Sequence, residues 1–198
     1  AGERLHASMP EMRRRTSFAL VAALTVVVAS GCAPQEATAP TAASPAPPQE
    51  AAVDWVEPAP ADGDGLVFAV RTITVTADGW RAQVAIRNES TVSWETPTSA
   101  SSRFGVMLFV TGELGELERR NASQDLPGLR SAREVEPALP AEIEPGRTWE
   151  GVLSAPGSLA ADRWLRVVFG PLAADGDPPE GLPAQLVWIT DNTYRLRR

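Results

Sequence analysis

From Asp64 onward, large apolar residues fall at alternate positions in short runs, and Gly, Pro, Asp or Asn closes each run. A period of two puts successive side chains on opposite faces of an extended chain, so each run reads as a strand with one buried face. The clearest is Trp80, Ala82, Val84 and Ile86, interleaved with polar Arg81 and Gln83 and ended by Asn88. In the preceding run, Leu66–Thr76, Phe68 and Val70 share one parity while Ile73 and Val75 share the other. One extra residue flips every later side chain, so this switch predicts a bulge or a crossing between sheets. Ala77-Asp78-Gly79 joins the two runs, and Asp-Gly is a strong hairpin signal.

Further strands are expected at Phe104–Val110, Thr148–Leu153, Trp164–Phe169 and Gln185–Thr190, with a short one near Val92–Glu95. Phe104–Val110 is apolar in both parities, which predicts a strand that is central or covered on both faces. Short strands, Gly/Pro turns and no long helical period define an all-β chain, an antiparallel β-sandwich. The connection from Gly112 to Pro140 is long enough to hold a short helix or an extra hairpin.

The N-terminal third follows different rules. Arg13, Arg14 and Arg15 precede an apolar run from Phe18 to Ala29, and small residues lead from there into Cys32. Arginines hold such a segment on the cytoplasmic face. About a dozen apolar residues suit an export signal and fall short of the roughly twenty that span a bilayer. Residues 1–11 precede a more natural start at Met12 and are set aside with the signal, giving a leader over 1–31. The segment Ala29-Ser30-Gly31-Cys32 resembles the lipobox of bacterial lipoproteins, with Ala29 where that family usually carries leucine. The resemblance implies a diacylglycerol thioether on Cys32 after cleavage, and hence a lipid anchor on the extracytoplasmic face of the cell membrane. The alternative is cleavage by an ordinary signal peptidase, which also accepts small residues there, and a freely secreted protein with an unpaired thiol.

Residues 32–63 are rich in Ala and Pro, a composition that predicts a disordered tether lifting the domain at 64–198 off the membrane. Trp55 and Val56 are the large apolar residues in it, available to dock on the domain or on a partner.

Composition narrows the chemistry. The chain carries a formal charge of −7, and its single histidine, His6, and four of its eighteen cations lie in the leader. It has no lysine, and its one cysteine is Cys32. After the leader there is no histidine base, no lysine for a Schiff base and no Cys/His metal set, so the expectation is a protein that is not an enzyme and holds no cofactor. With no second cysteine, the fold must rest on its hydrophobic core. An acidic exported chain is also a poor ligand for nucleic acid.

Arg87-Asn88-Glu89-Ser90 at a strand end, followed by Glu144-Pro145-Gly146-Arg147-Thr148-Trp149-Glu150-Gly151-Val152-Leu153, resembles the uncharacterised immunoglobulin-like domains of bacterial lipoproteins. That resemblance covers roughly Leu66–Thr190 and implies a sandwich with a binding or scaffolding role and no catalytic residues.

Among candidate sites, Trp80, Trp164 and Trp188 fall where core residues belong, whereas Trp94, between Ser93 and Glu95 near Pro97, is the tryptophan expected to be exposed to a partner. Asp62-Gly63-Asp64 and Asp175-Gly176-Asp177 read as solvated turns lacking the oxygens of a calcium loop. Glu142, Glu144 and Glu150 lack a cleft for paired-carboxylate hydrolysis. Arg195, Arg197 and Arg198 read as a solubilising tail. The expected function is a membrane-anchored, non-catalytic binding module. Its partners would be membrane lipid, through acylated Cys32, and a protein or other envelope component. The alternative is an accessory to cell-wall hydrolysis or an inhibitor of a secreted enzyme.

Overall fold

A computed structural model describes residues 44–97 and 102–198. Its strands are β1 (Gln49–Ala59), β2 (Leu66–Val75), β3 (Gly79–Asn88), β4 (Ser93–Glu95), β5 (Gly105–Phe109), β6 (Arg130–Ser131), β7 (Glu134–Glu136), β8 (Glu142–Ile143), β9 (Thr148–Pro156), β10 (Trp164–Asp175), β11 (Gln185–Ile189) and β12 (Tyr194–Arg195); one helix, α1 (Leu114–Ala122), follows β5. Every expected strand is present. The Gly112–Pro140 connection holds both the short helix and two short strands. The alternation from Trp80 to Ile86 forms β3, all four of these side chains being buried.

One sheet runs β1-β2-β3-β9-β7 and the other is centred on β10, which pairs with β5, β4, β11 and β12, all antiparallel. The neighbours β2-β3-β9-β7 and β5-β10-β11 reproduce the A-B-E-D and C-F-G arrangement of an immunoglobulin-like sandwich. β1 is an additional strand on the free side of β2.

That added strand moves the domain boundary. The tether expected over 32–63 gives way to ordered structure well before Asp64, because β1 pairs with β2 from Gln49↔Val75 to Ala59↔Leu66. Trp55 turns inward against the core, and Val56 points out and is 53% exposed. The Ala/Pro composition concealed a strand with alternate buried positions.

The parity switch in β2 is a bulge. Arg71 has no partner between Val70↔Val84 and Thr72↔Gln83, so β2 carries one residue more than β3. β1 in turn opposes Arg71 with two residues, Val53 and Asp54, and Asp54 adopts φ +46°. One extra residue inverts the alternation in β2; the second restores it in β1. At the Thr76–Gly79 turn, Thr76 N–H donates to the Gly79 carbonyl (2.9 Å) and Gly79 N–H donates to Thr76 Oγ1 (3.0 Å). A Cβ on Gly79 would lie 2.5 Å from the Ala155 carbonyl of β9, so this close pairing requires glycine.

The core lies between the sheets. Phe68 of β2 meets Phe169 of β10 at 5.0 Å between ring centroids and stacks on Trp188 of β11 at 5.5 Å. Phe104 packs edge-on against Trp149 and Phe169. A second cluster, Met107, Phe109, Leu117 and Val168, sits on the outer face of the β5–β10 pair beneath α1. β5 is therefore covered on both faces, as its unbroken apolar run requires.

Candidate functional site

Trp94 corrects the expectation of an exposed anchor. It is fully buried, pairs with Ala174 and Ile143 across β4, and donates its indole N–H to Ser90 Oγ at 3.2 Å. The flanking polar residues and the Pro97 break suggested a loop. They instead flank a three-residue strand whose single inward position is Trp94.

The same neighbourhood explains the first of the two motif segments. Asn88 is buried, and its amide donates to the carbonyls of Val92 (2.7 Å) and Ile143 (2.8 Å) while its oxygen accepts from the N–H and hydroxyl of Ser90. Asn88 N–H also donates to the Arg147 carbonyl, and Gly146 N–H donates back to the Asn88 carbonyl. The two segments thus meet as one structural corner, with Asn88 committed to holding it.

Sequence reading missed three buried ionisable groups. Glu57 is turned inward from β1 and accepts from Trp188 Nε1 (2.9 Å), Asp191 N–H (2.9 Å), and Asn192 N–H and Nδ2 (2.8 and 2.7 Å). Arg166 is fully buried on the outer face of β10. It donates to the carbonyls of Thr190, Asp191 and Glu113, and its guanidinium lies 5.3 Å from the centre of the Phe109 ring. Burial pushes the Arg166 pKa below the usual arginine value, against the opposing pull of Asp191, Glu57 and Glu116. Burial, reinforced by the Glu57 charge, pushes Asp191 up despite Arg166. Glu116 is tied back to the end of β5 by Val110 and Thr111 and is paired with Arg120 of its own helix; burial works to raise its pKa, but these hydrogen bonds prevail and hold it below the ordinary carboxylate value. The Glu57 and Glu116 carboxylates and the two terminal nitrogens of Arg166 are engaged with groups of the fold, which is the arrangement of a structural brace.

The remaining candidates lie on the surface. Asp62, Asp64, Glu142, Glu144, Asp175 and Asp177 are all exposed, and among the described residues no group of three or more metal-ligating side chains converges. On the outer face of the β1–β9 sheet, Val67, Ala69 and Ala85 floor a recess of about 270 Å³ walled by Val56, Arg71, Arg87 and Glu150. At the edge where β3, β9 and β7 end, Trp80, Arg81, Glu134 and Pro156 border a cleft of about 440 Å³, and Arg130 and Arg133 border its neighbour of about 350 Å³. Cys32 lies outside the described residues.

Arg195, Arg197 and Arg198 are not a loose tail. Leu196 is fully buried and exchanges backbone bonds with Arg163 and Asp162, and Arg197 N–H donates to Gln49 Oε1 at 3.0 Å. A single inward leucine among arginines was the available signal. No protein family, curated protein or solved structure matches this chain.

Proposed function

We propose that this protein is an extracytoplasmic lipoprotein, anchored through Cys32, whose immunoglobulin-like domain binds a partner and carries out no chemistry of its own. The observation that carries this reading is the order Arg13-Arg14-Arg15, apolar run, Ala29-Ser30-Gly31-Cys32, placed ahead of a domain that lacks histidine, lysine and cysteine. The buried ionisable groups support it, since Glu57, Glu116 and Arg166 are hydrogen-bonded within the fold and line none of the recesses described above. The surfaces left for a protein or envelope partner are the recess around Val67, Ala69 and Ala85 and the loops at the ends of the sandwich. Two acyl chains supply stable anchoring at about 0.8 kcal/mol per buried methylene. Mass spectrometry of the protein recovered from membranes tests the reading. The expected product begins at a Cys32 bearing a diacylglyceryl thioether, and Cys32→Ser moves the protein to the soluble extracytoplasmic fraction. An unmodified N-terminus beyond Gly31 overturns it. Crosslinking in the intact envelope followed by pull-down names the partner, and a reproducible protein neighbour is the expected outcome.

A further inference from the structure

Arginines cluster at one end of the sandwich and acidic loops at the other, and the chain enters the domain at the arginine-bearing end. Ser44–Ala46 is stitched to the β9–β10 turn: Ala46 N–H donates to the Leu159 carbonyl (2.7 Å) and Ala161 N–H donates to the Ser44 carbonyl (2.8 Å). That turn is bonded in its turn to Leu196, which brings Arg163, Arg195, Arg197 and Arg198 around Asp162. Arg195 and Arg198 expose 62% and 86% of their side chains, and the Arg195 guanidinium lies 5.9 Å from the centre of the half-buried Trp164 ring. The clefts bordered by Arg81, Arg130 and Arg133 open at the same end, since Gly157 N–H donates to the Asp78 carbonyl beside them. Asp78, Glu134 and Asp162 offset part of this charge, as do Glu113 and Asp191 on the loops that bond Arg166 beside Trp164. At the opposite end, Glu89 N–H donates to the Gly65 carbonyl and Asn88 bonds Gly146 and Arg147, gathering the loops that bear Asp62, Asp64, Glu89 and Glu144, the last two paired with Arg87 and Arg147.

We propose that the arginine-bearing end, from which the chain leads back to Cys32, lies against the anionic face of the membrane and directs the acidic loops outward. This rests on the anchored reading above. The chain as a whole is acidic, and the distance between the two ends decides whether that matters. β10 runs from one end to the other over 12 residues, which at about 3.3 Å per residue is several Debye lengths at physiological salt. The bilayer surface therefore interacts with the arginine-bearing end and is screened from the carboxylates of the far end. Tryptophan beneath arginine suits the headgroup layer, where an amphipathic ring and a cation on an apolar stem are both accommodated. Anionic lipid supplies the complementary charge within the same short range.

The test couples the chain from Cys32 onward, through the Cys32 thiol, to a maleimide lipid in nanodiscs of phosphatidylcholine with or without phosphatidylglycerol. A spin label on the headgroups reports proximity by amide relaxation. The expected result is enhancement several-fold greater at 160–163 and 194–198 than at 62–64 and 175–177. This contrast should appear with phosphatidylglycerol only, fall away at high salt, and weaken in the Arg195→Gln/Arg197→Gln/Arg198→Gln variant, with an unchanged thermal midpoint confirming its fold. The salt arm needs no variant. Equal enhancement at both ends, or the same contrast on neutral discs, overturns the proposal. So does loss of orientation together with shifts at the arginine end on adding soluble poly(glycerol phosphate), which assigns the surface to an anionic polymer. Because the coupling is chemical, its outcome is independent of whether the cell acylates Cys32: failure here with a native thioether present defeats the orientation and leaves the anchor.

Discussion

The Glu57 carboxylate of β1 accepts the indole N–H of Trp188 of β11 at 2.9 Å, joining residues 131 apart in sequence and in different sheets. Three further donors, the N–H groups of Asp191 and Asn192 and the Asn192 amide, complete the site. The contact ties β1, the edge strand of its sheet, to the opposite sheet. Gln49, at the other end of β1, repeats the device by accepting from Tyr194 Oη and Arg197 N–H. An added strand is thus fastened at both ends by polar side chains in inward positions.

Glu57→Ala leaves four donors without an acceptor, and a buried unsatisfied group costs about 1–3 kcal/mol. Some of these donors reach water after relaxation, so the expected loss is about 3 kcal/mol overall. Glu57→Gln keeps the shape and one carbonyl oxygen but turns an amide N–H toward donors, and is expected to fall between wild type and alanine. Urea denaturation midpoints rank the three. An alanine variant as stable as wild type would show that the clamp contributes nothing.

A chain beginning at Asp64, the boundary that composition alone suggests, lacks β1 entirely. It would uncover the edge of β2, expose Phe68 and Val70 from one side, and free Trp188 and Asn192. An unpaired edge of that length pairs with other copies. The expected outcome is aggregation or poor dispersion of amide resonances, against a monomeric, well-dispersed chain beginning at Ser44. Equal behaviour of the two would return β1 to the status of a tether.

Trp94→Ala empties a fully buried site and removes the donor to Ser90 Oγ, for an expected cost of about 3–5 kcal/mol. Trp94→Phe keeps much of the volume and loses the hydrogen bond, at about 1–2 kcal/mol. Capture of a partner by the folded Trp94→Phe protein is expected to be unchanged, because the ring has no exposed surface. Reduced capture at full foldedness would restore Trp94 to the interface.

Period-two patterning was sufficient to locate β2, β3, β5, β9, β10 and β11, because each of these strands buries one face, or both, against apolar neighbours. The bulge at Arg71 was legible for the same reason: Phe68, Val70, Ile73 and Val75 must all reach one core. β1 was not legible. Its inward positions include Gln49, Glu57 and small alanines, so the hydrophobic alternation is diluted, and Pro58 and Pro60 argue locally for a linker. Trp94 and Leu196 share a different difficulty. Trp94 lies in a three-residue strand and Leu196 just past a two-residue one, and no period can be read from a single inward position. Arg166 breaks the apolar pattern of β10 because its partners are carbonyls supplied by loops at 112–113 and 190–191, which sequence spacing does not reveal.

Acid titration separates two carboxylates shifted in opposite directions. The hydrogen bonds from Thr111, Val110 and Arg120 hold the folded Glu116 pKa below that of the unfolded chain. Its stabilisation is therefore present above the unfolded carboxylate value and lost as pH falls through the lower folded one. Asp191 is shifted upward by burial and by Glu57, so its ionised form is disfavoured in the folded protein. Protonating it as pH falls through its folded value restores stability, which is lost again as pH rises back through that value. Stability measured by urea midpoint should accordingly rise slightly on mild acidification and then fall. Asp191→Asn removes the rise, and Glu116→Gln removes part of the later fall, so the gap between Glu116→Gln and wild type narrows as acid is added. A Glu116→Gln curve parallel to wild type throughout the acid limb would mean that α1 is held to β5 by Leu117 packing alone.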